Sequence, residues 1–233
     1  MAQILTFLPG TMCDQRLWGA VWQRLIPRFS CDYVPTETEQ TREGMLGLIH
    51  SVASIGQPID LVAFSMGGYL ALEYALANPG RVASLITVGS SAFGLTDQEK
   101  ADRARALAML EKHDYRGMPA TRLNQFVHPS RQADPQIVDV IRAMDRDLGK
   151  AVLVAQLKET STRPSLAPRL AELEIPVLLV GADSDPFAPW ETIGRMAALI
   201  PGAKAALANN AGHMVPLEQP DWLAQQIVEF HAG

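Results

Sequence analysis

Short apolar runs alternate along this chain with longer stretches in which apolar positions recur three and four residues apart. The short runs, at 3–8, 30–34, 59–64, 84–88, 175–180 and 203–208, are each four to six residues long and end at Pro, Gly or Ser, or pass into polar residues. They predict strands buried on both faces, as in a parallel sheet. Leu17, Trp18, Val21, Trp22 and Leu25 share one helical face, as do Met45, Leu48, Ile49 and Val52, and later Ile193, Met196, Ala197 and Ile200. Such stripes fit crossover helices packed on a sheet. The helix predicted over 66–77 has Glu73 as its one charged residue, so it should be buried nearly all round and end at Asn78-Pro79. A last helix is predicted from Pro220 to about His231.

Residues 92–172 break this alternation. Thr96 to Glu99 reads as a capping box opening a charged helix, and Asp134-Pro135 as an N-cap with proline at the first helical position, followed by Ile137, Val140, Ile141 and Met144 on one face. No strand pattern is present, which predicts an all-helical cap over one end of the sheet. The expected organisation is one structural unit: core from 1–91, helical lid from 92–172, core again from 173–233. No internal repeat or low-complexity tract is visible.

Composition narrows the function classes. A chain of 233 residues that is 48% apolar can build a sizeable core. Its 20 basic and 25 acidic side chains leave a net charge of −5, spread too evenly for a nucleic-acid surface. With no apolar run of about 18 residues and no basic leader, no membrane span or signal peptide is expected, and the cytoplasm is the expected compartment. Cys13 and Cys31 are the only cysteines, so neither a disulfide framework nor a four-ligand zinc site is expected, and no metal is called for.

Candidate chemistry begins at Leu61 to Gly68, a strand run that turns at Ser65 into the buried helix. Small residues at Ala63 and Gly67 let strand and helix approach closely, which is the requirement of a nucleophile elbow. A serine nucleophile needs a base, and His213, after the last strand and beside Gly212, is the candidate. His50 lies in a surface helix, His231 at the terminus, and His113 and His128 in the insert. The base needs an orienting acid. Asp185, stiffened by Pro186 and Pro189, is the choice, with Asp183, nearer the strand end and suited to capping a turn, as its rival. The tight turn Pro9-Gly10-Thr11 after the first strand exposes backbone amides, so Thr11 and Met66 are the candidate N–H donors of an oxyanion hole. Cys13 is read as packing.

Leu8-Pro9-Gly10-Thr11, Phe64 to Gly68, Gly181 to Pro189, and Gly212-His213 with Glu218-Gln219-Pro220 behind it, in the order Ser, Asp, His, resemble the α/β-hydrolase superfamily. The resemblance is to its small cofactor-free esterases, lactonases and carbon–carbon hydrolases with a helical lid. It implies an α/β-hydrolase fold, a mostly parallel sheet of about six strands with helices on both faces and a lid after the family's sixth strand; this chain starts at what would be the family's third. Departures are Ala63 for the first glycine of G-x-S-x-G, Pro9 where many relatives have His, and a Gly181 to Asp185 spacing one residue longer than usual, which keeps Asp183 in play. The implied activity is cleavage of a small ester, thioester or lactone through an acyl-enzyme on Ser65, without a cofactor. Alternatives are a carbon–carbon hydrolase or lyase using the same groups for proton transfer, and a non-catalytic ligand-binding module. The expected partner is a small molecule with a hydrophobic acyl or alcohol part, contacted by Phe93, Tyr115, Phe126 and His128. Met109, Met118, Leu123, Met144 and Leu153 are further lid candidates, most of them expected to serve packing. Arg163, which with Pro164 ends the insert, is read as a surface residue, with contact to a carboxylate-bearing substrate as the alternative. The oligomeric state is not legible.

Overall fold

The computed structural model describes residues 2–53 and 56–232. Six strands, β1 (Gln3–Leu8), β2 (Phe29–Tyr33), β3 (Ile59–Phe64), β4 (Val82–Val88), β5 (Val177–Ala182) and β6 (Lys204–Ala208), form one sheet in the order β2-β1-β3-β4-β5-β6. Every adjacent pair is parallel. The predicted strands are all present, displaced by two residues at most.

Alternation along each strand divides the core in two. Leu5, Phe7, Val62, Phe64, Ile86, Val88, Leu178 and Val180 join the cluster on one face, whereas Leu8, Leu61, Ala63, Leu85, Val177 and Leu179 join the cluster on the other. The first face is covered by α1 (Gly19–Leu25) and α9 (Pro220–Ala232), and the second by α2 (Arg42–Ala53), α3 (Met66–Ala77) and α7 (Trp190–Leu199). Helix α3 is buried all round apart from Glu73 and Ala77. Glu73 faces Arg42 at 3.4 Å, which offsets some of the burial that raises its pKa.

Between β4 and β5 the chain forms α4 (Asp97–Lys112), α5 (Ala120–Phe126) and α6 (Pro135–Ser161), with no strand among the described residues. The Thr96 and Glu99 capping box is formed in both directions, and Asp134 caps α6 by accepting from the Gln136 amide. At Gly149, with φ of 71°, the 27-residue α6 breaks its helical geometry. A positive φ suits glycine, so the second half of α6 runs in a new direction, and it brings Gln156 to the turn after β1. No helix among the described residues is long and apolar enough to cross a membrane.

The chain passes from β1 outward to β2 and then back across to β3 on the other side of β1. Beyond the carboxyl ends of the strands flanking such a switch point lies the natural crevice of an open α/β sheet. Thr11, Ser65, Gly89, Asp185 and His213 all follow strand ends there.

Candidate active site

Ser65 occupies the turn between β3 and α3 with φ of 49° and ψ of −113°, a conformation that costs a non-glycine residue roughly 1–3 kcal/mol. Close packing over-determines it. The Ser65 amide donates to the Val88 carbonyl at 2.8 Å, and its carbonyl accepts from the Ser90 hydroxyl at 2.9 Å and from the Tyr69 amide at 3.2 Å. The Ser90 hydroxyl fills the space a side chain at Gly68 would need, since a Cβ there would lie 1.9 Å from Ser90 Oγ. At Gly67 a Cβ would lie 2.3 Å from the Pro9 carbonyl oxygen. That neighbour is backbone and cannot rotate away. Gly67→Ala is therefore expected to destabilise the fold by about 2 kcal/mol or more through overpacking, read as a lowered denaturation midpoint.

Ser65 Oγ lies 3.0 Å from His213 Nε2, and His213 Nδ1 lies 2.8 Å from Asp185 Oδ2. A carboxylate only accepts, so the imidazole proton sits on Nδ1 and Nε2 is left to accept from the serine hydroxyl. Asp185 is 4% exposed, and its second oxygen accepts from the Phe187 and Ala188 amides at 2.8 and 3.1 Å. Burial works against its ionisation, but His213 and these amides outweigh it and hold the carboxyl below its ordinary range. Asp183 points elsewhere and accepts from the Asn210 and Ala211 amides at 2.8 and 3.2 Å, tying the loop after β5 to the loop after β6. Of the two aspartates, Asp185 is the one that meets the imidazole.

Two supports around this chain of hydrogen bonds have contacts that the sequence does not reveal. Gly89, with φ of +57°, packs so close that a Cβ would come within 3.2 Å of both Asp185 Oδ2 and His213 Nδ1. Glu218, on the short helix α8 (Val215–Glu218), accepts from the Gly212 amide at 3.0 Å and the His128 amide at 2.8 Å, clamping the loop that carries His213 to the insert. A side chain at Gly212 would strike the backbone of residues 126–128. The imidazole itself is walled by Phe64, Phe187 and Phe126, at ring-centre distances of 4.9, 5.0 and 5.7 Å.

Above Ser65 opens a cavity of about 560 Å³, floored by Thr11, Ser65, Met66 and His213 and roofed by side chains of α4, α5 and α6. In the turn after β1, the Cys13 amide donates to the Gly10 carbonyl at 3.2 Å, and the amide of Met12, at φ of 54°, donates to Gln156 Oε1 at 2.9 Å. The Thr11 amide has no acceptor among the described residues, and the Met66 amide, first in α3, has none within its helix. Gln156 is fully buried and comes from beyond the Gly149 kink, so the insert itself fixes the turn that bears Thr11. Cys13 also lies on the wall, but burial and then Asp14 raise its thiol pKa and keep it protonated.

Of the expected substrate contacts, Tyr115 and Phe126 line the cavity, with Met109, Met118 and Leu153. Phe93 and His128 do not. Phe93 packs on the second core cluster under the Arg195 guanidinium at 4.3 Å, because the chain after β4 turns toward α7. His128 turns its ring to Ser130, with Nδ1 2.7 Å from the hydroxyl, and caps the short turn that follows it. Leu123 and Met144 are in the core. Arg163 is not a surface residue; it lines the cavity.

Residues 53–220 match the family model described as the alpha/beta hydrolase fold. The chain is 24% identical over 179 residues to 2-hydroxy-6-oxononadienedioate/2-hydroxy-6-oxononatrienedioate hydrolase 2 of Pseudomonas putida, a match covering 74% of this chain and 62% of that one, so less than two thirds of the relative is spanned. It is 24% identical over 238 residues to the pimeloyl-[acyl-carrier protein] methyl ester esterase of Yersinia enterocolitica, covering 97% and 92%. Among solved structures, a thermophilic esterase from Thermogutta terrifontis superposes with a TM-score of 0.88 at 23% identity, covering 100% of this chain and 90% of that one. With the parallel sheet, the strained serine turn and the histidine after the last strand in the matching order, the chain belongs to the alpha/beta hydrolase fold family.

Proposed function

We propose that the protein is a serine hydrolase that cleaves a small ester, thioester or lactone through an acyl-enzyme on Ser65. The observation that carries this reading is the unbroken chain from the Ser65 hydroxyl through His213 to Asp185 at 3.0 and 2.8 Å, opening on a cavity large enough for a small molecule. His213 Nε2 takes the hydroxyl proton as Ser65 Oγ bonds to the carbonyl carbon. The tetrahedral oxyanion lies against the Thr11 and Met66 amides, and each such donor contributes about 3 kcal/mol to the transition state. Collapse breaks the bond to the leaving alkoxide or thiolate, which receives the proton from His213. Water then attacks the acyl carbon, gives its proton to the same nitrogen, and the acid leaves as Ser65 recovers its own proton.

A second reading uses the same groups for proton transfer during carbon–carbon cleavage. It is favoured by the Pseudomonas relative, whose named substrate carries ketone and carboxylate functions and no ester. The Yersinia relative's name, by contrast, specifies a methyl ester.

The test is labelling with a fluorophosphonate followed by peptide mass mapping, combined with a rate screen over short-chain aryl esters, lactones and β-diketones. The expected outcome is a single adduct on Ser65, protection by a cleavable ester, and an acyl-enzyme mass on denaturant quench. Labelling elsewhere, or cleavage of diketones alone with no acyl adduct, would displace the ester reading.

A further inference from the structure

Three guanidinium groups stand on the cavity wall: Arg103 on α4, Arg122 on α5 and Arg163 just past α6. Among the described residues, none of them has a carboxylate within ion-pairing distance. Arg103 donates to the Thr160 hydroxyl at 2.7 Å. Arg122, the most exposed of the three, donates to the Gln125 side-chain carbonyl at 2.7 Å and stacks over Phe126 and Phe187 at 5.0 and 4.7 Å. Arg163 lies over the Tyr69 ring at 4.8 Å, and its Nε is buried with no acceptor among the described residues.

The acids on the same wall are engaged elsewhere. Glu99 accepts from the amide and the hydroxyl of Thr96, both at 2.8 Å. Asp102 pairs with Gln98 and Arg105, and Asp145 accepts from the Tyr115 hydroxyl and the Met118 amide. The three guanidiniums therefore face the cavity without a direct ion-pair partner among the described residues, with Glu99 acting on Arg103 and Arg163 and Asp102 on Arg122 only at longer range. A buried Nε such as that of Arg163 costs stability unless an acceptor joins it. Burial, and next the neighbouring Arg163, draws the Arg103 pKa down to about 10; burial lowers those of Arg122 and Arg163 as well.

These charges bracket the nucleophile. Tyr69, under Arg163, lies one turn beyond Ser65 on α3 and donates to its carbonyl, while Phe126 and Phe187, under Arg122, pack on His213. The wall between is apolar, with Ala106, Met109, Leu110, Leu153 and Leu157.

We propose that Arg103 and Arg163, with Arg122 at the mouth, form a carboxylate-binding subsite, and that the substrate is a small organic acid whose free carboxylate is held there while its scissile carbonyl lies at Ser65. The subsite stands on the arginines alone; the placement of the carbonyl rests on the nucleophile reading above. A guanidinium fork matches a carboxylate with paired hydrogen bonds, and the apolar wall accommodates the connecting carbons.

The test has two arms. In the binding arm, glutarate is titrated by calorimetry against Ser65→Ala protein, with neutral dimethyl glutarate as control. Saturable binding of glutarate is expected, weakened about 10–100-fold when Arg103→Gln or Arg163→Gln is added. Absence of binding, binding indifferent to both arginines, or equal binding of the neutral diester would overturn the subsite. In the kinetic arm, the ratio of kcat/KM for 4-nitrophenyl hydrogen glutarate to that for 4-nitrophenyl butyrate is expected to favour the acid by about 10–100-fold in the wild type and to collapse by the same factor in either variant. A ratio near one, or a variant that slows both esters alike, would overturn the substrate class. If neither ester is cleaved while arginine-dependent glutarate binding persists, the ester reading fails and the subsite stands. Thermal melts identify a variant that does not fold, in which case the other carries the test.

Discussion

Ser65→Ala is expected to lower kcat on any ester the wild type cleaves by about 10⁴–10⁶-fold, the loss typical of removing a nucleophile from a hydrogen-bonded triad. KM should change far less, because the cavity wall and its arginines are untouched. The fold should persist: the substitution removes one oxygen whose only side-chain partner among the described residues is His213 Nε2, and the bonds that fix the turn come from Val88, Tyr69 and Ser90. Ser65→Gly is the informative companion. At φ of 49° glycine relieves the strain that serine and alanine both carry, so its unfolding free energy should exceed that of Ser65→Ala by about 1 kcal/mol while its activity is equally absent. Stability at the expense of turnover is the signature of a residue held in place for chemistry. Retention of a tenth or more of wild-type kcat by the alanine variant would remove Ser65 from the mechanism.

What is legible in the sequence follows from where its signals are local. Strand positions depend on short apolar runs, and a fully buried parallel sheet requires such runs, so all six strands fall within two residues of their expected places. The elbow is legible because it compresses strand, strained turn and helix into eight residues with obligatory small side chains. Tertiary partners are not. Residue type alone points Phe93 and His128 toward the pocket, yet the turn after β4 carries Phe93 to α7 and an acceptor in Ser130 fixes His128. Arg163 reads as a surface arginine because nothing in its neighbourhood along the chain reveals the Tyr69 ring that it covers. Gln156 and Glu218 act over 144 and 90 residues, on Met12 and His128 respectively; a polar residue in a helix gives no sign of such reach, and the Glu218-Gln219-Pro220 run marks its residue without showing the partner. The Gly149 break in α6 has a visible residue but no visible consequence, since a single glycine is tolerated within many helices.

The sharpest division within the candidate site lies between its two neighbouring aspartates. Asp185→Asn should reduce kcat by about 10⁴-fold. Asp185 Oδ1 accepts from two amides, so an asparagine there keeps its carbonyl oxygen toward the Phe187 and Ala188 amides and turns its NH₂ toward His213 Nδ1. The imidazole must then accept at Nδ1 and carry its proton on Nε2, where it can no longer receive the proton of Ser65. Asp183→Asn should act on stability instead. Asp183 is exposed and accepts from the Asn210 and Ala211 amides, so solvent screening holds its loss to about 1 kcal/mol, with kcat within about threefold of wild type. The sign of its pH dependence follows from its pKa. Burial opposes ionisation, but the two amides prevail and hold the folded carboxyl below its ordinary value. Its contribution is thus complete above the unfolded aspartate pKa of about 4 and fades as pH falls through the lower folded value. Denaturation of wild type and Asp183→Asn should accordingly differ at neutral pH and converge in acid, whereas Asp185→Asn loses turnover across the whole range in which the wild type is active. Exchange of these two outcomes would assign the imidazole to Asp183 and require the loops after β5 and β6 to meet in a different register.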